Sequence, residues 1–282
     1  MRDLTECKSD RAESPRVATS QYVDDYLMRV EVNDPTTDRV SRGLAIVRRA
    51  EELVAAGHRK DEFLATLSHE LRSPLASICN ALAFLENDTA EALTRQKAKA
   101  LIERQVRRMT QLVDDLLDLS RITSGRLRLR RERIDLRVAA INAIATLESN
   151  LSERRHRLSV AAPDEPVWLQ GDPDRLEQVF VNLLANASKY TDPGGAIALS
   201  IELRDAQAVV RVKDSGIGMT PEGLTNIFDL FRQADEGDAH SRSGLGIGLA
   251  LVRNFVELHG GSVTAASGGL GQGSEFTVHL PA

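Results

Sequence analysis

Two long stretches of apolar residues at helical spacing constrain the fold of this chain more than any other feature. Apolar side chains recur every three or four positions between residues 63 and 85 and again between 101 and 119. The polar segment Asn87-Asp88-Thr89 separates the two stretches. This pattern predicts two amphipathic helices joined by a short loop, a helical hairpin. One hairpin cannot cover both apolar stripes, so the sequence predicts a four-helix bundle formed by a homodimer.

After residue 133 the pattern mixes helices and strands. We expect strands near 157–161, 167–170, 196–204, 207–213, 262–267 and 274–280, and helices near 137–154, 173–189, 221–230 and 246–259. Alternation of apolar and polar residues over 196–213 favours a largely antiparallel sheet with helices on one face. The expected fold is therefore multidomain: an all-α helical hairpin followed by an α+β sandwich.

Changes in composition divide the chain into four segments. Residues 1–41 are polar and aperiodic, which is typical of a disordered arm or linker, although a remnant of an input module or a packed helix would also fit. We expect the helical hairpin over 42–122 and the α+β domain over 134–282. Between them, 123–133 contains a run of arginines and is predicted to be a solvated linker.

Overall composition excludes several classes of protein. A net charge of -5 argues against a dedicated nucleic-acid binder. Cys7 and Cys79 match no metal or redox spacing. No apolar run approaches the roughly 20 residues that span a bilayer, and the N-terminus does not resemble a signal peptide. We therefore expect a chain without a membrane segment, in the cytoplasm.

The segment His69-Glu70-Leu71-Arg72-Ser73-Pro74-Leu75 carries the first candidate chemistry. On a helical wheel His69 lies nearly opposite Leu67 and Leu71, among small or polar neighbours. Glu70 could accept a proton from the imidazole and so make the other ring nitrogen more nucleophilic. Ser73 lies four residues after His69, on the same face. The alternative is an ordinary exposed histidine on a helix.

A pair of asparagines suggests a nucleotide site. Asn182 and Asn186 are four residues apart on the same face of a predicted helix. An amide oxygen is a suitable ligand for a magnesium ion that also holds phosphates. Lys189 could reach a phosphate, and Tyr190 could stack on a base. The alternative is a helix end with ordinary polar residues.

Glycines follow in two groups. Asp214 ends a strand and enters a loop with Gly216 and Gly218, where it could accept a bond from an adenine amino group, although an ordinary strand-to-loop turn is the alternative. Residues 232–245 have few large apolar side chains and are predicted to form a mobile lid. Gly244, Gly246 and Gly248 then lead into an apolar helix whose N-terminus favours phosphate.

Taken together, these segments resemble the sensor histidine kinases of two-component signalling. His69–Leu75 resembles the phosphoacceptor box, Asp174–Thr191 the asparagine box, and Ile227–Phe231 the phenylalanine box. The three glycine boxes are matched by Asp214–Gly218, Gly244–Leu249 and Gly273–Phe276. The likeness covers about residues 58–282. Ser73 replaces the usual threonine, and Leu230 stands where proline is common.

The resemblance implies a dimerisation and phosphotransfer bundle followed by a GHKL-type ATP-binding domain. It assigns His69 as the phosphoacceptor, Glu70 as its base and Asn186 as the Mg²⁺ ligand, with Asn182 in support. Lys189 and Tyr190 would contact phosphate and adenine. The remaining implied contacts are Asp214 with the adenine amino group, Arg232 or Arg242 with the γ-phosphate, and Gly216, Gly218, Gly244, Gly246 and Gly248 along the pocket.

The expected reaction is ATP-dependent autophosphorylation of His69, followed by transfer to an aspartate in the receiver domain of a separate response regulator. Ser73 would support a weak phosphatase activity toward that regulator. Phosphorylation within one subunit and phosphorylation between the two both remain open. The alternatives are a GHKL ATPase that acts as a clamp, which needs no phosphoacceptor histidine, and a non-enzymatic scaffold, which needs no intact nucleotide boxes.

Overall fold

A computed structural model describes residues 65–85, 92–231 and 245–282 of the chain. The predictions for the N-terminal arm, the start of the hairpin, its turn and the lid, with Arg232, Arg242 and Gly244, lie outside these residues. None of the described helices has the length and apolar character needed to cross a membrane.

Two helices form the first part of the described structure. Helix α1 covers residues 65–85 and helix α2 covers Ala92–Thr123. Ala81 and Ala98 are buried. Apolar side chains on these helices are nevertheless left about half exposed: Leu75, Leu82, Phe84, Val106, Val113 and Leu117. A protein rarely leaves so many large apolar groups uncovered on neighbouring helices, which marks this face as an interaction surface.

The second part of the structure is a layer of helices on a five-stranded sheet, together with a separate two-stranded sheet. The strands are β1 (Glu132–Asp135), β2 (Arg157–Ala161), β3 (Trp168–Gly171), β4 (Ala196–Arg204), β5 (Gln207–Asp214), β6 (Ser262–Ala266) and β7 (Ser274–Pro281). The helices are α3 (Leu136–Glu153), α4 (Pro173–Tyr190), α5 (Pro221–Asn226) and α6 (Gly248–Leu258). The five-stranded sheet has the order β2-β4-β5-β7-β6, and β1 pairs with β3 separately.

The sheet is antiparallel except for the parallel pair β2 and β4, which confirms the largely antiparallel prediction. Alternate residues of β4 are buried, as expected for a sheet with one face against a core. The core that they share with the helices includes Phe180, Leu183, Leu184, Leu251 and Phe255, all fully buried. The expected order, a helical hairpin followed by an α+β sandwich, is confirmed.

Local chemistry explains where α4 begins and ends. Asp172 accepts a hydrogen bond from the backbone N–H of Arg175, and Pro173 occupies the first turn. At the other end, Arg154 donates to the carbonyl oxygens of Ser188 and Lys189. A cation at a helix C-terminus is favourable because the last carbonyls carry partial negative charge. Both ends of the helix that carries the predicted asparagines are therefore fixed.

Candidate functional site

A large pocket opens between α4, the loop after β5 and the start of α6. Seven of the predicted site residues line it: Asn186, Lys189, Tyr190, Asp214, Gly218, Gly246 and Gly248. Apolar side chains from the surrounding elements make up most of the remaining wall: Ile217, Met219, Ile227, Leu245, Ile247, Leu249 and Phe276. A concave, mostly apolar cavity with a few polar groups is typical of a small-molecule site.

Asp214 is held in place in the wall of this pocket. It is 6% exposed, and its Oδ1 accepts hydrogen bonds from the backbone N–H groups of Gly216 (2.8 Å) and Ser274 (3.2 Å). Burial raises the pKa of the Asp214 carboxyl above its usual value, and these two bonds oppose that rise. Because both bonds go to Oδ1, Oδ2 is the oxygen that can accept a bond from an amino group of a ligand.

Close packing explains the glycines of the loop after β5. A Cβ on Gly216 would lie 2.3 Å from the carbonyl oxygen of Tyr190. Gly218 has a φ of +69°, and a Cβ there would lie 2.0 Å from the carbonyl oxygen of Gly269. The loop is also tied to α4 by a bond from the Ile217 N–H to the Tyr190 carbonyl (3.1 Å). Gly218 contributes to the pocket wall, whereas Gly216 lets the loop approach α4.

The residues of α4 that were predicted to bind nucleotide have different positions. Asn186 lines the pocket, but Asn182 lies beneath Gly248, whose Cβ would be 3.4 Å from the Asn182 Oδ1. Lys189 Nζ donates to Tyr190 Oη (2.9 Å) and lies 4.5 Å from the centre of that ring. The lysine and the tyrosine therefore form one unit at the pocket wall.

The chemistry of these residues fits a magnesium ion that is held mainly by the phosphate groups of a bound molecule and by few protein side chains. Among the described residues no group of three or more His, Cys, Asp or Glu side chains could hold a metal. Asn186 supplies an uncharged hard oxygen instead. Magnesium commonly takes only one or two protein ligands and completes its coordination with phosphate oxygens and water.

Helix α2 contributes two pocket residues that sequence reasoning missed. Leu112 and Asp115 line the same cavity as Asn186. Asp115 Oδ1 accepts hydrogen bonds from Gln111 (2.8 Å) and Gln178 (3.2 Å). Burial raises the pKa of the Asp115 carboxyl. Local pattern gave no signal for this role, because it depends on where α2 packs against α4.

Next to Asp115, charged groups join α2 to the sandwich. Asp118 is buried and forms an ion pair with Arg175. Arg175 also donates to Gln178 Oε1 (2.9 Å), and its guanidinium lies 5.1 Å from the centre of the Phe255 ring. Gln178 in turn donates to Asp118 (3.3 Å). An ion pair with one buried partner and several further contacts is well fixed in position.

The predicted linker is exposed at its arginines, and it also makes contacts with the sandwich. The backbone N–H of Arg130 donates to Asp172 Oδ2 (2.8 Å), and the guanidinium of Arg131 donates to the Leu258 carbonyl (2.7 Å). The guanidinium of Arg133 lies 4.6 Å from the centre of the Trp168 ring. These three arginines fasten the segment to the sandwich although they are exposed, as Arg126 and Arg128 also are.

His69 is exposed on α1 and does not line the pocket. Its neighbour Glu70 accepts a hydrogen bond at Oε2 from Arg108 Nη2 of α2 (2.8 Å), and the Glu70 side chain is 12% exposed. Ser73 is exposed, and its carbonyl accepts a bond from the Ser77 hydroxyl (3.1 Å).

Comparison with known families identifies both parts of the chain. Residues 59–125 match the His Kinase A (phospho-acceptor) domain. Residues 171–282 match the histidine kinase-, DNA gyrase B-, and HSP90-like ATPase family.

Individual relatives agree with these matches. The sensor histidine kinase TrcS of Mycobacterium tuberculosis is 37% identical over 288 residues, which cover 96% of this chain and 55% of TrcS. The circadian input-output histidine kinase CikA of Synechococcus elongatus is 34% identical over 84% of this chain and 33% of its own length. The crystal structure of full-length ShkA in complex with AMPPNP is 30% identical, with a TM-score of 0.56, over 78% of this chain and 45% of ShkA.

The chain thus spans about half or less of the length of these relatives. It carries the phosphoacceptor domain and the ATPase domain in the same order as the boxes recognised in its sequence. This chain belongs to the sensor histidine kinases of two-component signal transduction.

Proposed function

We propose that this chain transfers the γ-phosphoryl group of ATP to His69 and then to an aspartate of a response regulator. The supporting observation is that one chain holds an exposed histidine beside an anchored glutamate, and a pocket with Asn186, Lys189 and Asp214 at a glycine-rich helix start. ShkA, which is similar over most of this chain, binds the ATP analogue AMPPNP. The reaction uses cytoplasmic ATP, so we place these domains in the cytoplasm.

In the proposed complex the adenine amino group donates to Asp214, and Tyr190 packs near the base. Lys189 and the backbone N–H groups of Gly246 and Gly248 bind phosphate at the start of α6, and the resemblance adds Gly244 to this set. Asn186 would hold Mg²⁺, with Asn182 supporting the helix start from below. A bound Mg²⁺ would neutralise phosphate charge. The resemblance assigns Arg232 or Arg242 to the γ-phosphate.

In the proposed transfer a ring nitrogen of His69 attacks the γ-phosphorus. The new N–P bond forms as the bond to the bridging oxygen breaks, and ADP leaves. Glu70 accepts the proton from the other ring nitrogen. Because Arg108 binds Glu70 Oε2, Oε1 remains for this purpose. In the second step the N–P bond breaks as a carboxylate oxygen of the regulator binds the phosphorus.

We further propose that the segments 42–122 and 134–282 act as separate domains joined by 123–133, with 1–41 as an N-terminal arm. His69 does not line the pocket, so phosphorylation requires the nucleotide domain to move about this joint. A second copy of the chain would cover the exposed apolar face of α1 and α2 and complete the four-helix bundle.

Labelling of the protein with [γ-³²P]ATP tests the proposed function. The wild-type chain should acquire phosphate that is labile in acid and stable in base. The variant His69→Gln should bind ATP normally and acquire no such label, whereas the control His279→Gln, on β7, should be labelled like the wild type. Stable labelling of His69→Gln would refute the assignment, and nucleotide hydrolysis without any labelling would favour an ATPase clamp.

Ser73 supports a weaker second activity. We propose that its exposed hydroxyl orients a water molecule for attack on the aspartyl phosphate of the regulator. Serine lacks the methyl group of threonine and is freer in χ1, so the water is less well fixed and the activity should be low. Ser73→Ala should lose dephosphorylation and keep autophosphorylation. Equal rates of dephosphorylation by both proteins, measured on phosphorylated regulator, would exclude this role.

A further inference from the structure

The nucleotide pocket has an acidic wall that belongs to the hairpin. Asp115 lies on α2, yet it lines the cavity together with Asn186 and Lys189 of the sandwich. Its side chain is fixed from both sides, by Gln111 of its own helix at 2.8 Å and by Gln178 of α4 at 3.2 Å. The carboxylate therefore has a defined place in the pocket whenever α2 packs against α4.

Helix α4 shows at which end of the pocket Asp115 lies. The C-terminal residue of α4, Tyr190, contacts the loop that follows Asp214. Gln178 lies twelve residues earlier on the same helix, roughly 18 Å away along the axis. Asn186 lies between the two. Because Asp115 is bonded to Gln178, it lies on the side of the pocket away from Asp214.

The charge of Asp115 is not balanced by its neighbours. Both side chains that donate to it are neutral amides. Arg175, which also contacts Gln178, forms its ion pair with Asp118 instead. The other charged groups that act on Asp115 are two further carboxylates, Asp118 and Asp114. An anion placed beside Asp115 is therefore repelled.

We infer that Asp115 makes the pocket discriminate between nucleoside triphosphate and nucleoside diphosphate. The inference rests on the proposed function, which places adenine at Asp214 and phosphate at the start of α6. Because Gly248 lies over Asn182, the phosphates run along α4 from Tyr190 toward Gln178 and Asp115. The terminal phosphate of ATP then comes closest to this carboxylate, and ADP stops short of it. When α2 is packed against α4, the site binds ADP more tightly than ATP. Bound ATP in turn favours the state in which α2 has moved away from the pocket.

Calorimetric titration of the full chain with AMPPNP and with ADP, both with Mg²⁺ at pH 7.5, tests this inference. Removal of one unit charge about 10 Å from the terminal phosphate in a partly solvated site should change affinity by about fourfold. Asp115→Asn should therefore bind AMPPNP about fourfold more tightly and ADP within about twofold of the wild type. The matched control is Asp114→Asn, the same change at the adjacent exposed residue, which should alter neither affinity.

Salt gives a second measurement on the unmodified protein. The preference of the wild type for ADP over AMPPNP should shrink as ionic strength rises, because salt screens the repulsion. In Asp115→Asn the same preference should depend less on salt. An unchanged ratio of the two affinities in Asp115→Asn overturns the inference and leaves the proposed function intact. An equal change in Asp114→Asn also overturns it. Failure of the wild type to bind either nucleotide overturns both.

Discussion

At the scale of single residues, a buried histidine joins three parts of the sandwich. His259 is 3% exposed at the end of α6. Its Nδ1–H donates to the Phe255 carbonyl (2.7 Å), and its Nε2 accepts from the backbone N–H of Asp172 (2.9 Å). Asp172 in turn caps α4 and accepts from Arg130 of the linker. The neutral form of the imidazole is required, because a protonated Nε2 cannot accept the Asp172 bond.

The protonation of His259 should make the stability of the sandwich depend on pH. Burial lowers the pKa of His259 below its ordinary value of 6.5. The folded state therefore binds fewer protons than the unfolded state, and its stability is complete above pH 6.5 and falls as the pH drops toward the lower folded-state pKa. In His259→Gln, the decrease in the free energy of unfolding between pH 7.5 and 5.5 should be smaller.

Urea unfolding at the two pH values measures this effect. His259→Gln should also be less stable at pH 7.5 by about 1–3 kcal/mol, since a buried bond is lost. His279→Gln, a change of the same type on β7, should keep the pH dependence of the wild type. If His259→Gln shows the full wild-type decrease, another group controls the pH dependence.

At the scale of the elements, α2 has two apolar faces that serve different partners. Leu119 is 7% exposed and belongs to the core of the sandwich, with Leu112 and Leu116 packed against that core. Leu117, two residues earlier, is 49% exposed. One face of α2 therefore packs in the core of the sandwich, and another face is exposed on the hairpin. The same substitution on the two faces should affect different properties of the protein.

Leu119→Ala should lower the free energy of unfolding by about 2–4 kcal/mol, because it leaves a cavity in the core. Leu117→Ala should have little effect on unfolding but weaken the proposed homodimer about tenfold, because it removes apolar surface from the contact. Urea unfolding and analytical ultracentrifugation measure the two quantities. The proposed dimer face would be wrong if Leu117→Ala left dimerisation unchanged.

Element boundaries show where local sequence was sufficient. The alternating residues of 196–213 predicted β4 and β5 almost to the residue, and the helix predicted near 173–189 matches α4 within one residue. Strand β1 was missed, because Ile134 is its one apolar residue and it follows the run of arginines. The helix predicted over 221–230 ends at Asn226. Phe231 adopts a φ of +65°, and its N–H donates to the Gly246 carbonyl, so a long-range contact determines the end of this segment.

At the scale of the whole molecule, the pocket could be predicted only in part. Asn186, Asp214 and the glycines were identified because each motif is local in sequence. Asp115 could not be, because it reaches the pocket only through the packing of α2 on α4. Its neighbour Asp118 pairs with Arg175, a contact between residues 57 positions apart. Local periodicity contains no information on such contacts.

The wall formed by Leu112 and Asp115 has a pharmacological consequence. An ATPase domain that is not preceded by such a hairpin lacks this wall, even where its adenine pocket is the same. A small molecule that fills the proposed adenine site beside Asp214 and extends to Leu112 would therefore gain an apolar contact that the ATPase domain alone does not supply. A basic group at its far end would also face Asp115. Selective inhibition would then depend on α2, the second helix of the hairpin, as much as on the nucleotide domain itself.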